Sequence, residues 1–129
     1  MKAAGTFEVK MQPENFSVQG ENEIQLGRYS LNKKFNGALN AESKGEMISA
    51  MTSVKGSAGY VAIEQVSGSL NGMAGNFVLQ HFGIMNRGKD RLILEVVPDS
   101  GSGELKNISG SMTIEVKDGK HFYELDFEM

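Results

Sequence analysis

Cysteine is absent from the 129 residues, which excludes a disulfide framework, a thiolate nucleophile and any cysteine-based zinc or iron–sulfur centre. Redox chemistry therefore sets no compartment. Positive charge is not in excess either: the formal net charge is −3, the isoelectric point is near 5.4, and the longest basic run is Lys33-Lys34. Nothing in that balance favours a nucleic-acid partner. No window approaches the length of a membrane span, and Met1–Lys10 places charge beside every apolar group, with no signal-peptide core. A cytoplasmic protein with no membrane partner is expected. Only two prolines stand against 16 glycines, and no amphipathic helix of ordinary length is legible. That combination points to an all-β chain with many tight turns. At this length residues 1–129 form a single domain.

What is present is period-2 alternation. Phe7, Val9 and Met11 alternate with Glu8 and Lys10, and Pro13 is expected to stop that ladder. From Asn22 to Phe35 two frames compete, Ile24, Leu26 and Arg28 against Tyr29, Leu31, Lys33 and Phe35, which a bulge near Gly27 would reconcile. Asn36-Gly37 reads as a two-residue hairpin turn before the face Leu39, Ala41, Ser43, Gly45, Met47. Two strands, Gly59–Val66 and Gly75–Ile84, flank a glycine-rich corner. Leu92, Leu94 and Val96 are expected to face in from Arg91–Pro98, and Asp118-Gly119 turns the last hairpin. The pattern Gly68-Ser-Leu70 with Gly75 repeats as Gly103-Glu-Leu105 with Gly110, and more loosely as Gly37-Ala-Leu39 with Gly45. This is one corner-turning device reused around a closed sheet. About eight such strands, joined mostly by hairpins, are best closed as an antiparallel barrel, which leaves no unpaired edge.

Barrel closure turns parity into location. The frame holding Tyr60, Glu64, Phe77, Leu79 and His81 is taken as lumenal, because it gathers bulky and polar groups beside small Ala62 and Gly83; the opposite frame, Val61, Gln65 and Gln80, is the alternative. A lumenal carboxylate needs a partner, and Arg28 is the expected one for Glu64. Candidate ligand-binding residues are Arg28, Tyr60, Glu64, Phe77, His81, His121 and Tyr123, with Glu64 and His81 the candidate proton-transfer groups. No metal is assigned, since the two histidines lack HxH or HExxH spacing, and no cofactor is called for. No serine sits in a nucleophile elbow. Asp99-Ser-Gly-Ser-Gly103 lacks the Lys-Ser/Thr of a phosphate loop, and a turn with a short helical tail is expected there. The methionines could line an adaptable pocket or fill the core.

At Gly59-Tyr60, Glu64, Gly68-x-Leu70-x-Gly72-x-x-Gly75-x-Phe77-Val-Leu-Gln-His81-x-Gly83, Pro98-x-Ser-Gly-x-Gly-Glu-Leu105 and His121-x-Tyr123-x-Leu125, the chain resembles a family of small, uncharacterised, mostly bacterial proteins. That family is a domain of unknown function related in fold to allene oxide cyclase. The resemblance runs from Thr6-Phe7 to the C-terminus and implies an eight-stranded lipocalin-like or calycin-like barrel with no assigned activity. Ser100-Gly-Ser-Gly103 stands where the family usually has Ser-Gly-Thr-Gly, and an aromatic is missing near Met11-Gln12.

No motif assigns a reaction. The leading expectation is a barrel that binds a small, largely apolar molecule in its lumen or mouth. A cofactor-free isomerase, cyclase or lyase using Glu64 or His81 is the second reading. A filled barrel acting as an oligomeric interaction module is the third. The chosen frame turns Val61, Ile63, Val78, Phe82, Ile93, Val97 and Phe122 outward, so a homo-oligomer is expected.

Overall fold

The computed structural model describes residues 1–129, and they form strands and turns with no helix. The strands are β1 (Lys2–Glu14), β2 (Gln25–Gly37), β3 (Leu39–Met51), β4 (Ala58–Leu70), β5 (Met73–Asn86), β6 (Lys89–Val96), β7 (Ser102–Gly103), β8 (Ser109–Lys117) and β9 (Lys120–Glu128). The sheet runs β4-β3-β2-β1-β9-β8-β6-β5, and β5 pairs back onto β4. An eight-stranded antiparallel barrel results, with β7 as a two-residue addition to β5 at Gly75 and Asn76. No helix is long and apolar enough to cross a membrane.

Three hairpins use two-residue turns with both central residues at positive φ: Asn71-Gly72 (50° and 83°), Arg87-Gly88 (50° and 89°) and Asp118-Gly119 (52° and 75°). That conformation matches the right-handed twist of the flanking strands, and glycine adopts it without steric cost. The Asp118-Gly119 expectation holds. The glycine-rich corner is instead uninterrupted ladder: Gly68 pairs with Gly75, and pairing continues to Leu70 and Met73.

Four further expectations are corrected. Pro13 does not end β1, which stays in register with β2 through Pro13 opposite Tyr29 and Glu14 opposite Arg28. No bulge occurs near Gly27, because β2 and β3 pair in one constant register from Gln25–Met51 to Phe35–Ala41. That register centres the β2–β3 tip on Ala38 rather than on Asn36-Gly37. After Ser102–Gly103 the chain makes turns at Glu104–Asn107 and no helical tail.

One end of the barrel is sealed. Leu39, Leu70 and Leu105, the leucines of the repeated Gly-x-Leu pattern, meet there with Ile108 and Phe127, all of them buried. Above that floor Phe7, Phe35, Phe77, Leu79, Leu94 and Leu125 complete the core, and Phe35 packs on Phe7 and edge-on to Tyr123. The other end is open. There the inward positions Val9, Met47, Tyr60, Leu92, Ile114 and His121 are only half-buried, and Met11 and Met85 are exposed. In a filled barrel these positions would be sealed.

Candidate functional site

Between the apolar floor and the open end lies a ring of polar groups. Lys33, Ser43, Glu64 and His81 come from β2, β3, β4 and β5, four neighbouring strands, and all four are buried. Lys33 is directly opposite Ser43 in the ladder, Glu64 is opposite Gly45, and His81 is opposite Ala62. The step from Lys33 to Ser43 is direct, and the steps from Ser43 to Glu64 and from Glu64 to His81 each shift by two residues. Tilted barrel strands bring such diagonal positions to one level around the axis.

Glu64 is the hub, with no exposed surface. Lys33 Nζ donates to its Oε2 at 2.8 Å, Ser43 Oγ donates to Oε1 at 2.7 Å, and His81 Nε2 lies 2.5 Å from Oε2. Burial alone would push the Glu64 carboxyl up. The His81 hydrogen bond and the Lys33 ammonium outweigh it, and the pKa falls from the ordinary 4.5 to about 2. Glu64 is therefore ionised and can only accept, which places a proton on His81 Nε2. Lys33 Nζ also lies 4.9 Å from the centre of the Phe7 ring and 5.9 Å from that of Phe35, two cation–π contacts that help hold the ammonium indoors.

His81 Nδ1 has no protein partner, and no buried side-chain nitrogen or oxygen in the chain is left without one. Nδ1 therefore keeps some contact with solvent. Tyr60 stands over it with ring centres 6.4 Å apart. The Tyr60 ring rests on the backbone of Gly83: a Cβ at Gly83 would fall 2.2 Å from Tyr60 Cε1. One register row reads Gly27–Ser49–Tyr60–Gly83, and Tyr29 lies over Gly27 as Tyr60 lies over Gly83. Burial, followed by the charges of Asp90 and Glu64, raises the Tyr60 phenol above its usual range. Beside Tyr29, Ser49 and Met51 a cleft of about 630 Å³ opens beneath the loop joining β1 to β2, with Phe16, Val18 and Ile24 on the loop side.

The lumenal frame of β4 and β5 is as expected: Glu64 and His81 face in and meet, while Val61 and Gln80 face out. The partner assigned to Glu64 is corrected. Arg28 lies on the outer face, bonded to Glu46 and to the Asn15 carbonyl, because the constant β2–β3 register turns the Tyr29–Leu31–Lys33–Phe35 frame inward. Lys33 is the cation that sequence reading missed. The available signal was a lysine on the same parity as Leu31 and Phe35.

Phe77 is in the sealed core. Tyr123 is buried near the floor, where its hydroxyl accepts from the Leu39 amide at 3.0 Å and lies 2.9 Å from the Asn36 carbonyl. Neither lines the open end. His121 is half-buried with its ring 5.0 Å from that of Phe7. It does not join His81 and Glu64, and no three His, Asp or Glu side chains converge as metal ligands anywhere in the chain.

Residues 3–127 match the model of a family described as "Protein of unknown function (DUF3224)". A crystal structure at 1.84 Å resolution of a protein with unknown function from that family, from Shewanella oneidensis MR-1, is 56% identical and superposes with a TM-score of 0.97. The match covers 100% of this chain and 97% of that one. The chain matches no curated protein.

Proposed function

The chain belongs to the DUF3224 family of proteins of unknown function, and we propose that its barrel binds a small, largely apolar molecule at the open end. The observation that carries this reading is His81, held by Glu64 through Nε2 with Nδ1 left without a side-chain or backbone partner, beside the inward positions Tyr60, Met47 and Leu92, which are only half-buried. Binding sites commonly combine apolar walls with a few fixed polar groups. With Nε2 committed to Glu64, Nδ1 is the ring nitrogen left for a guest, an acceptor in the neutral ring and a donor in the protonated one. A guest with one hydroxyl or amide N–H on an otherwise apolar body would complement it. The cleft beside Tyr29 is of ligand size and adjoins the same register row. A cytoplasmic location belongs to the same proposal.

The enzyme reading has one specific support, a carboxylate orienting an imidazole whose other nitrogen is free, which is how general bases are held. In that reading His81 accepts the proton. Glu64, ionised down to about pH 2, supplies orientation and charge rather than a proton.

The test is native mass spectrometry of freshly purified protein, followed by denaturation and organic extraction, on wild type and Tyr60→Ala. The expected result is a reproducible small molecule in the wild type that is lost in the variant, with unchanged far-UV circular dichroism. Equal retention by both proteins would place the molecule elsewhere. A clean mass, with no shift of the His81 ring ¹⁵N signals on adding apolar alcohols, would remove the proposal.

A further inference from the structure

The outer wall behind the polar ring carries an apolar grid that the lumen does not explain. Ile48, Val61, Phe82 and Ile93 stand directly opposite one another across β3, β4, β5 and β6. Ile63 and Ile84 flank this row. All six are between 37% and 50% exposed, on the face where an antiparallel strand should present polar groups. A contiguous patch of this kind marks an interface.

We propose that this face docks a second copy of the same chain about a two-fold axis lying along the row Val61–Phe82–Ile93. The argument is complementarity. Such an axis superposes each strand on the same strand of the other copy and exchanges positions above and below the row. Arg91 and Glu95 lie on β6, one on each side of Ile93, opposite Ile84 and Gln80 respectively. Arg91 of each copy then faces Glu95 of the other, forming two symmetric ion pairs at the rim. Ile63 faces Gly59, where no side chain obstructs it. Ile84 faces Gln80, on the wall of a hollow of about 570 Å³ bounded by Ile48, Val61 and Ile63. Phe82 meets its own counterpart. Its ring already carries the Arg91 guanidinium at 5.6 Å, which holds that cation at the edge of the patch.

A different two-fold, along the strands between β4 and β5, would set Glu46 against Glu95 and Arg91 against Ala50. Like charges disfavour it.

Sedimentation velocity on wild type, Arg91→Glu, Glu95→Arg and the double exchange tests the arrangement, with Phe82→Glu as an independent disruption. All of these positions are exposed, and far-UV circular dichroism verifies folding. The expected mass is two chains for wild type, one chain for each single variant and for Phe82→Glu, and two chains again for the double exchange. A monomeric wild type, an assembly larger than two chains, or a double exchange that stays monomeric would each overturn the proposal.

Discussion

Oε2 of Glu64 and Nε2 of His81 are 2.5 Å apart inside the barrel, and the same oxygen accepts from Lys33 at 2.8 Å. A carboxylate so placed is a fixed anion. Its burial would cost several kcal/mol if unpaired, and its partners offset that cost only while both remain. The arrangement ties stability, pH response and presentation of the imidazole to one side chain.

Acid stability should therefore depend on Glu64. Its folded pKa of about 2 lies below the ordinary 4.5, so the ionised form favours the fold. The contribution is fully present above about pH 4.5 and is lost as pH falls through about 2. At about 1.4 kcal/mol per pH unit this amounts to roughly 3 kcal/mol. Urea denaturation at a series of pH values across that window should show wild type losing this amount beyond what Glu64→Gln loses. Parallel pH curves for the two proteins would contradict it.

Removing one partner should cost more than removing both. Lys33→Met leaves the carboxylate without its ammonium, and a loss of about 3–5 kcal/mol is expected. Lys33→Met combined with Glu64→Gln removes both charges while keeping an amide beside Ser43 and His81, and should recover most of that loss. Chemical denaturation of both single variants and the double variant measures the coupling. Additive effects would show that the buried pair does not act as a unit.

The barrel was legible because its signals are local. Alternation in β8 and β9, the Asp118-Gly119 turn and the lumenal parity of Glu64 and His81 need only neighbouring residues. The repeated Gly-x-Leu was visible as a pattern, and its meaning, three leucines meeting on the floor, emerges only on closure. The polar ring was half legible. Glu64 and His81 share a hairpin, but Lys33 and Ser43 join them through a register that the competing frames of β2 obscured. Arg28 has the parity of Ile24 and Leu26, and the constant β2–β3 register turns that frame outward and the Lys33 frame inward. Tyr123 looked like a lumenal candidate by parity, which places a side chain inside without saying at which end.

Gly83 should resist substitution on account of Tyr60. A Cβ there would meet the Tyr60 ring at 2.2 Å, so Gly83→Ala must displace the ring from its place over His81. A loss of about 1–3 kcal/mol is expected, as for other overpacked sites. Tyr60→Ala in the Gly83→Ala background should relieve part of it. Thermal denaturation of the two single variants and the double variant reads the relief, and no coupling between the two positions would refute the contact.

Tyr123 offers the sharpest test of the sealed end. Its hydroxyl accepts from the Leu39 amide at 3.0 Å and lies 2.9 Å from the Asn36 carbonyl and 3.2 Å from that of Leu39. One phenol thus satisfies backbone groups at the β2–β3 tip that the Ala38-centred turn does not pair across the strands. Tyr123→Phe keeps the ring against Phe35 and removes only the oxygen, leaving the buried Leu39 amide unsatisfied. The expected cost is about 1–3 kcal/mol, with hydrogen exchange accelerated at Leu39 and ligand retention at the open end unchanged. If Tyr123→Phe instead lost bound ligand while keeping wild-type stability, the phenol would belong to a binding site and the sealed floor would have to be redrawn.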